Sequence, residues 1–147
     1  MSIFDRHLPK YRKLLASGES PAKVARVMVT DERDALVARE CDVDDHSRER
    51  IRRVVEYAAK ELGVAPARVR YFDAKGLSFS GIHFRDWPNE VWVAADRPPQ
   101  ELKRLALHEL AHVQHYADDF GADLPRDERF ELHERDADRF SRRGINW

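Results

Sequence analysis

Along the chain the spacing of apolar positions changes period twice, and those changes divide it into helical and extended stretches. In the first 45 residues Phe4, Leu8, Tyr11 and Leu15 recur at helical intervals, and Ser20-Pro21 opens a second helix before Val24, Val27 and Met28. Residues 41–46, rich in aspartate, read as a linker. Ser47 is then the expected cap of a helix over 48–62, with Ile51, Val54, Val55, Ala58 and Leu62 inward and Gly63 as its stop. Beyond it the period drops to two: Val69 and Tyr71, Leu77 and Phe79, Ile82 and Phe84, and Val91 and Val93 alternate as half-buried strands do. Turn residues at 73–76 and 86–89 separate three strands near 68–73, 77–84 and 90–95, which predicts a small, mostly antiparallel three-stranded sheet. The helical period returns after Pro98-Pro99, giving a helix over 99–117, a polar loop over 118–126 and a last helix over 127–142 ended by Gly144. The expected fold class is α+β in a single domain, with an N-terminal helical extension over 1–46 and a core over 47–147.

Composition narrows the class without naming a function. The 147 residues are 42% hydrophobic and 36% charged, which suits a globular domain with a densely charged surface. A formal net charge of -1 gives no global attraction to nucleic acid. Charges interrupt every apolar stretch of the N-terminus, and no run approaches the roughly 20 residues that span a bilayer, so the expectation is a cytoplasmic protein with no membrane partner. The one cysteine, Cys41, cannot form an internal disulfide and reads as an inert small hydrophobe. Arg48-Glu49-Arg50-Ile51-Arg52-Arg53 reads as the solvated face of an amphipathic helix rather than a phosphate patch, and residues 20–40 lack the glycine turn and basic helix of a DNA-reading unit.

The chemistry concentrates at His108-Glu109-Leu110-Ala111-His112. On a helix, positions four apart share a face, so both imidazoles can reach one metal ion while the glutamate between them handles a proton. On a wheel Leu102, Leu105, Ala106, Leu110, Val113 and Ala117 form one buried sector; Glu109 falls inside it, and His108 and His112 lie along its edge. A carboxylate on a buried face is costly unless it is paired or has a task. A catalytic zinc takes three protein ligands and keeps one position open. His115 stands about 10.5 Å along the axis from His108, too far to share an ion with it, which assigns His115 to the surface or to support behind a ligand. Glu134 sits between Phe130 and Ala137 on the inward face of the last helix, with Phe140 and Ser141, and is the better third ligand; His133 is its rival. Asp138, one turn on, can accept a hydrogen bond from the far nitrogen of a ligating histidine.

The pentapeptide HELAH at 108–112, followed by Glu134-Arg135-Asp136-Ala137-Asp138-Arg139-Phe140-Ser141, resembles the gluzincin pattern HExxH…ExxAD. In particular it is similar to the ImmA/IrrE family of small metallopeptidases, over about residues 80–142. Ala111 stands where many members carry glycine, and residues 1–65 have no counterpart in the resemblance. The resemblance implies a zincin-like minimal metallopeptidase fold, one Zn2+ held by His108, His112 and Glu134, and Glu109 as the general base of an endopeptidase. Water on the zinc would lose its proton to Glu109, which would pass it to the leaving amine. The oxyanion-stabilising group is left open among Tyr116, His83, Tyr71 and His115. A peptide strand would add along 90–94, where Trp92 is either a substrate contact or packing. By analogy the substrate would be a regulator such as a repressor, in a phage or mobile-element setting. Two other readings stand beside it: a zinc-stabilised regulatory or interaction protein with little turnover, and a DNA-binding protein with a vestigial metal site.

Overall fold

The computed structural model describes residues 8–144; Phe4, the first apolar position of the N-terminal helical pattern, lies outside them. The described elements run α1 (Leu8–Ala16), α2 (Pro21–Val37), β1 (Glu40–Cys41), α3 (Asp45–Leu62), β2 (Arg68–Phe72), β3 (Gly81–Ile82), β4 (Glu90–Ala94), α4 (Pro99–Ala117) and α5 (Arg126–Arg143). Over the described residues the protein is thus α+β, with five helices and a small mixed sheet. Among the described residues, no helix is long and apolar enough to cross a membrane.

The helices begin where local chemistry satisfies their free N–H groups. Ser20 caps α2 by accepting from Lys23 N, and Pro99 opens α4 with the backbone angle a helix needs. The cap of α3 is Asp44 rather than Ser47: Asp44 accepts from both the backbone N–H and the hydroxyl of Ser47, each at 2.8 Å. A carboxylate at the start of a helix outcompetes a hydroxyl three residues later because it also opposes the helix dipole. Gly63, at φ +71°, ends α3 in the left-handed conformation expected of it. The span 20–40 is largely one continuous helix, with no helix-turn-helix inside it. On α3 Arg48 pairs with Asp42 and Asp45, Arg52 with Glu49 and Glu56, and Arg53 with Glu49, so the basic run is a solvated, ion-paired face.

The sheet differs from the expected three antiparallel strands. It has four, in the order β1-β2-β4-β3, and its two longest members, β2 and β4, pair in parallel with Val69 beside Val91 and Tyr71 beside Val93. The expected linker, 41–46, gives Cys41 to β1, which pairs antiparallel to the end of β2, and its last two residues to α3; the stretch 77–84 shrinks to β3, paired antiparallel to β4. Alternation reports which residues face a core, but not which strand lies alongside. Every residue of β4 is buried because the strand is covered on both faces. Val91 and Val93 point into the main core with Ile51, Val55, Leu107 and Leu110, while Trp92 and Ala94 point the other way, against Phe72, Phe84 and Leu36 of α2. Trp92 is therefore packing, fully buried, and β4 is a central strand that cannot take an added peptide.

A buried ion network holds α2 to this second face. Glu90 receives Arg33 Nε at 2.5 Å and Arg70 Nη1 at 2.9 Å, and Trp92 Nε1 donates to it at 3.2 Å; Arg70 also grips Glu40 of β1 with two 2.7 Å bonds. Burial works against the charge of Glu90, but these donors override it and hold its carboxyl at about 2. Nearby on α2, Glu32 is buried without such help, and desolvation pushes it up to about 7. A carboxyl whose pKa rises on folding favours the fold below its unfolded value of 4.5 and loses that contribution as pH climbs through 7. Glu32→Gln should therefore raise stability at pH 8, by about 1–3 kcal/mol, and leave it nearly unchanged at pH 4. Urea unfolding at the two pH values checks this, and an equal effect at both would refute it.

Candidate metal centre

Helix α4 lies between the sheet, α3 and α5, and is buried on most of its circumference. Leu102, Leu105, Ala106, Leu110 and Val113 occupy the expected sector, but Ala117 is exposed near the helix end. His108 and His112, one turn apart, present Nε2 atoms 3.2 Å from each other. From α5, Glu134 meets them with Oε2 at 3.2 Å from His108 Nε2 and Oε1 at 3.0 Å from His112 Nε2. An ion bonded at about 2.0–2.1 Å to tetrahedrally arranged donors keeps them about 3.3 Å apart, so the spacing of the three groups fits one metal ion. The inward face of α5 differs in one member from the expected one. Phe130 is 66% exposed at the rim, and His133, Ala137, Phe140 and Ser141 form the buried seam, with Glu134 on its cleft-side flank.

Glu109 points into the same space and is only 7% exposed. Burial first, and the charge of Glu134 second, push its carboxyl up to about 8. A cation beside it would pull that value back down, because opposite charge favours the ionised form. Its close neighbour on the sheet is Gly81 of β3: a Cβ placed there would stand 3.0 Å from Glu109 Oε1 and 3.3 Å from its Cγ. Glycine at this strand position is what lets the backbone approach the carboxylate.

His112 is held as a neutral ring, its pKa lowered to about 3 by burial and then by His108, His115, His133 and His83. Neutral imidazole is the form that binds metal. Asp138 Oδ1 lies 3.0 Å from His108 Nδ1, within reach but out of line with its N–H, so that buried nitrogen has no aligned hydrogen bond. His115 is not a surface group but 1% exposed, with Nε2 at 2.7 Å from Asp136 Oδ2 and Nδ1 at 3.3 Å from His112 Nδ1. His133 donates from Nε2 to the Phe120 carbonyl at 2.5 Å and is not placed as the third ligand of the His108–His112 pair.

The cleft over these groups, about 230 Å³, is lined by Gly81, Ile82, His83, Glu109, His112 and Tyr116 on one side and Phe130, His133 and Glu134 on the other. Of the four candidates for oxyanion support, His83 and Tyr116 reach it. His115 stands behind His112, and the Tyr71 hydroxyl lacks a hydrogen-bond partner in a separate cavity that also receives the exposed Cys41. The contact of Gly81 with Glu109 and the pairing of Asp136 with His115 were not anticipated, though Gly81 carried a signal as a glycine inside an alternating stretch; His133, expected as a rival ligand, packs against His115 instead. Comparison with family models, with curated proteins and with solved structures finds no match.

The Gly81 contact makes a separable prediction. Gly81→Ala should destabilise the metal-free protein by about 1–3 kcal/mol by forcing Glu109 aside. In a Glu109→Ala background the same change should cost markedly less, because the crowded side chain is gone. A double-mutant cycle by urea unfolding measures the difference, and equal costs in both backgrounds would show that the contact carries no strain.

Proposed function

We propose that this protein is a zinc-dependent endopeptidase of the gluzincin type, similar to the ImmA/IrrE family in fold and mechanism. The observation that carries the reading is the convergence of His108, His112 and Glu134 to within 3.2 Å of one another, with buried Glu109 lining the same cleft. Two imidazoles and a carboxylate make a donor set that suits zinc. Zinc held there would supply a Lewis acid that polarises a carbonyl and lowers the pKa of water.

The residues around it divide the remaining work. Glu109, buried at the cleft, accepts the proton of the attacking water and returns it to the leaving amine. His83 cannot donate to a developing oxyanion. Its Nδ1–H is already given to the Glu90 carbonyl at 3.0 Å, and burial lowers its pKa, leaving a neutral ring whose Nε2 only accepts. Tyr116, at the rim of the cleft, carries a hydroxyl whose pKa is raised further by partial desolvation, and is the donor the cleft offers. An extended substrate adds to β3, the edge strand whose Gly81 touches Glu109, and not to β4. The substrate in this reading is a regulatory protein, on the strength of the family likeness.

Purified protein should carry about one zinc per chain, lost in His112→Ala and Glu134→Ala. Glu109→Gln should keep the zinc and abolish cleavage, and Tyr116→Phe should lower kcat by about 10²-fold. Metal analysis with partners trapped on Glu109→Gln and identified by mass spectrometry tests the reading. A metal-free protein sinks it; zinc retained with biological activity intact in Glu109→Gln leaves a zinc-stabilised interaction protein instead.

A further inference from the structure

The geometry points to Asp136 and His115 as a relay that sets which nitrogen of His112 is free to bind the metal. This rests on the metal reading above and adds two positioning residues to it. A carboxylate can only accept, so the 2.7 Å contact between Asp136 Oδ2 and His115 Nε2 places a hydrogen on that nitrogen. A neutral His115 then presents a bare lone pair at Nδ1. That lone pair faces His112 Nδ1 at 3.3 Å, and a hydrogen bond forms there only if His112 donates. With its one hydrogen on Nδ1, His112 turns a lone pair outward at Nε2, the atom 3.0 Å from Glu134 and 3.2 Å from His108. With His115 neutral, the order of hydrogen bonds runs from Asp136 to the metal-facing atom. A ligating histidine commonly gives its second nitrogen to a carboxylate or carbonyl; here a second histidine is interposed between the ligand and the carboxylate.

The His115 ring is packed in place for this task. It stacks against Phe120 at 5.1 Å and against His133 at 4.5 Å, these two rings stack on each other at 5.8 Å, and His133 is itself anchored to the Phe120 carbonyl. His112, His115 and His133 also lie close enough to suggest a second metal site. The stacked rings of His115 and His133 are only 26° from parallel, however, so their in-plane lone pairs run alongside each other rather than meeting at one ion. The cluster is a support for His112, and Asp136 is its outer end.

Long-range proton–nitrogen NMR on the zinc-loaded full chain, with 15N-labelled histidine, reads the relay directly. The expected pattern is hydrogen on His115 Nε2 and on His112 Nδ1, and of the four nitrogens of these two rings only His112 Nε2 shifted by zinc. Zinc affinity by chelator competition should fall about 10–100-fold in Asp136→Ala, and less in Asp136→Asn, which keeps an accepting oxygen. Hydrogen on His115 Nδ1, unchanged affinity in Asp136→Ala, or a second zinc bound at His115 Nδ1 would each overturn the relay while leaving the peptidase reading intact. A chain that takes up no zinc overturns both. The NMR pattern needs no substitution, so a misfolded variant does not block the test.

Discussion

Placing a carboxyl at 7% exposure on a helix packed between a sheet and two other helices costs roughly 2 kcal/mol or more, unless the surroundings compensate. On α4 that cost recurs, because His112 and His115 are buried on the same helix and His108 nearly so. Apolar contact already fills the sides facing the sheet and α3. The histidines are left with the seam toward α5, where they meet one another and the acids that α5 brings, while Glu109 faces the edge of β3 at Gly81. The site is thus the place where the fold collects the polar atoms its most buried helix could not bury alone.

That constraint explains the composition of α5, whose mean hydropathy is low and whose buried seam is small. Glu134 and Asp136 leave this seam on opposite flanks, so one helix serves the cleft side of His112 and the far side of His115 at once. Asp138 returns to the Glu134 flank and reaches His108. A helix that only closed the core would have no use for three acids at alternate positions. A similar logic holds at Glu90, where two arginines and an indole N–H make a buried carboxylate tolerable; no lone pair there is left facing a cleft, and the network reads as structural.

Much of this was legible in the sequence, and the part that was not shares a cause. The bounds of α4, the stop of α3 at Gly63 and the inward placement of His108, Glu109, His112 and Glu134 at one cleft follow from period, capping and helical phase, which are local properties. Sheet order is not local: the parallel pairing of β2 with β4 depends on α2 covering a second face, which alternation within a strand does not report. The sequence leaves His115 between the surface and a place behind a ligand, because its axial distance from His108 bears only on shared ligation. One turn of helix sets it against His112 instead, and its partner Asp136 lies on another element.

The edges of the sheet carry the last consequence. Both edge strands, β1 and β3, are two residues long, which limits indiscriminate pairing by an exposed edge. The Arg70–Glu40 pair also ties down β1. At β3 the backbone is instead left beside the cleft, with no side chain at Gly81 to hold a visitor away from Glu109. In the peptidase reading so short an edge offers a substrate few main-chain hydrogen bonds, so most of its affinity has to come from side-chain contacts along the rim, where Phe130 and Tyr116 are exposed. In that reading the site would discriminate by what flanks the scissile bond, which is the behaviour expected of an enzyme with few targets rather than of one that degrades unfolded chains.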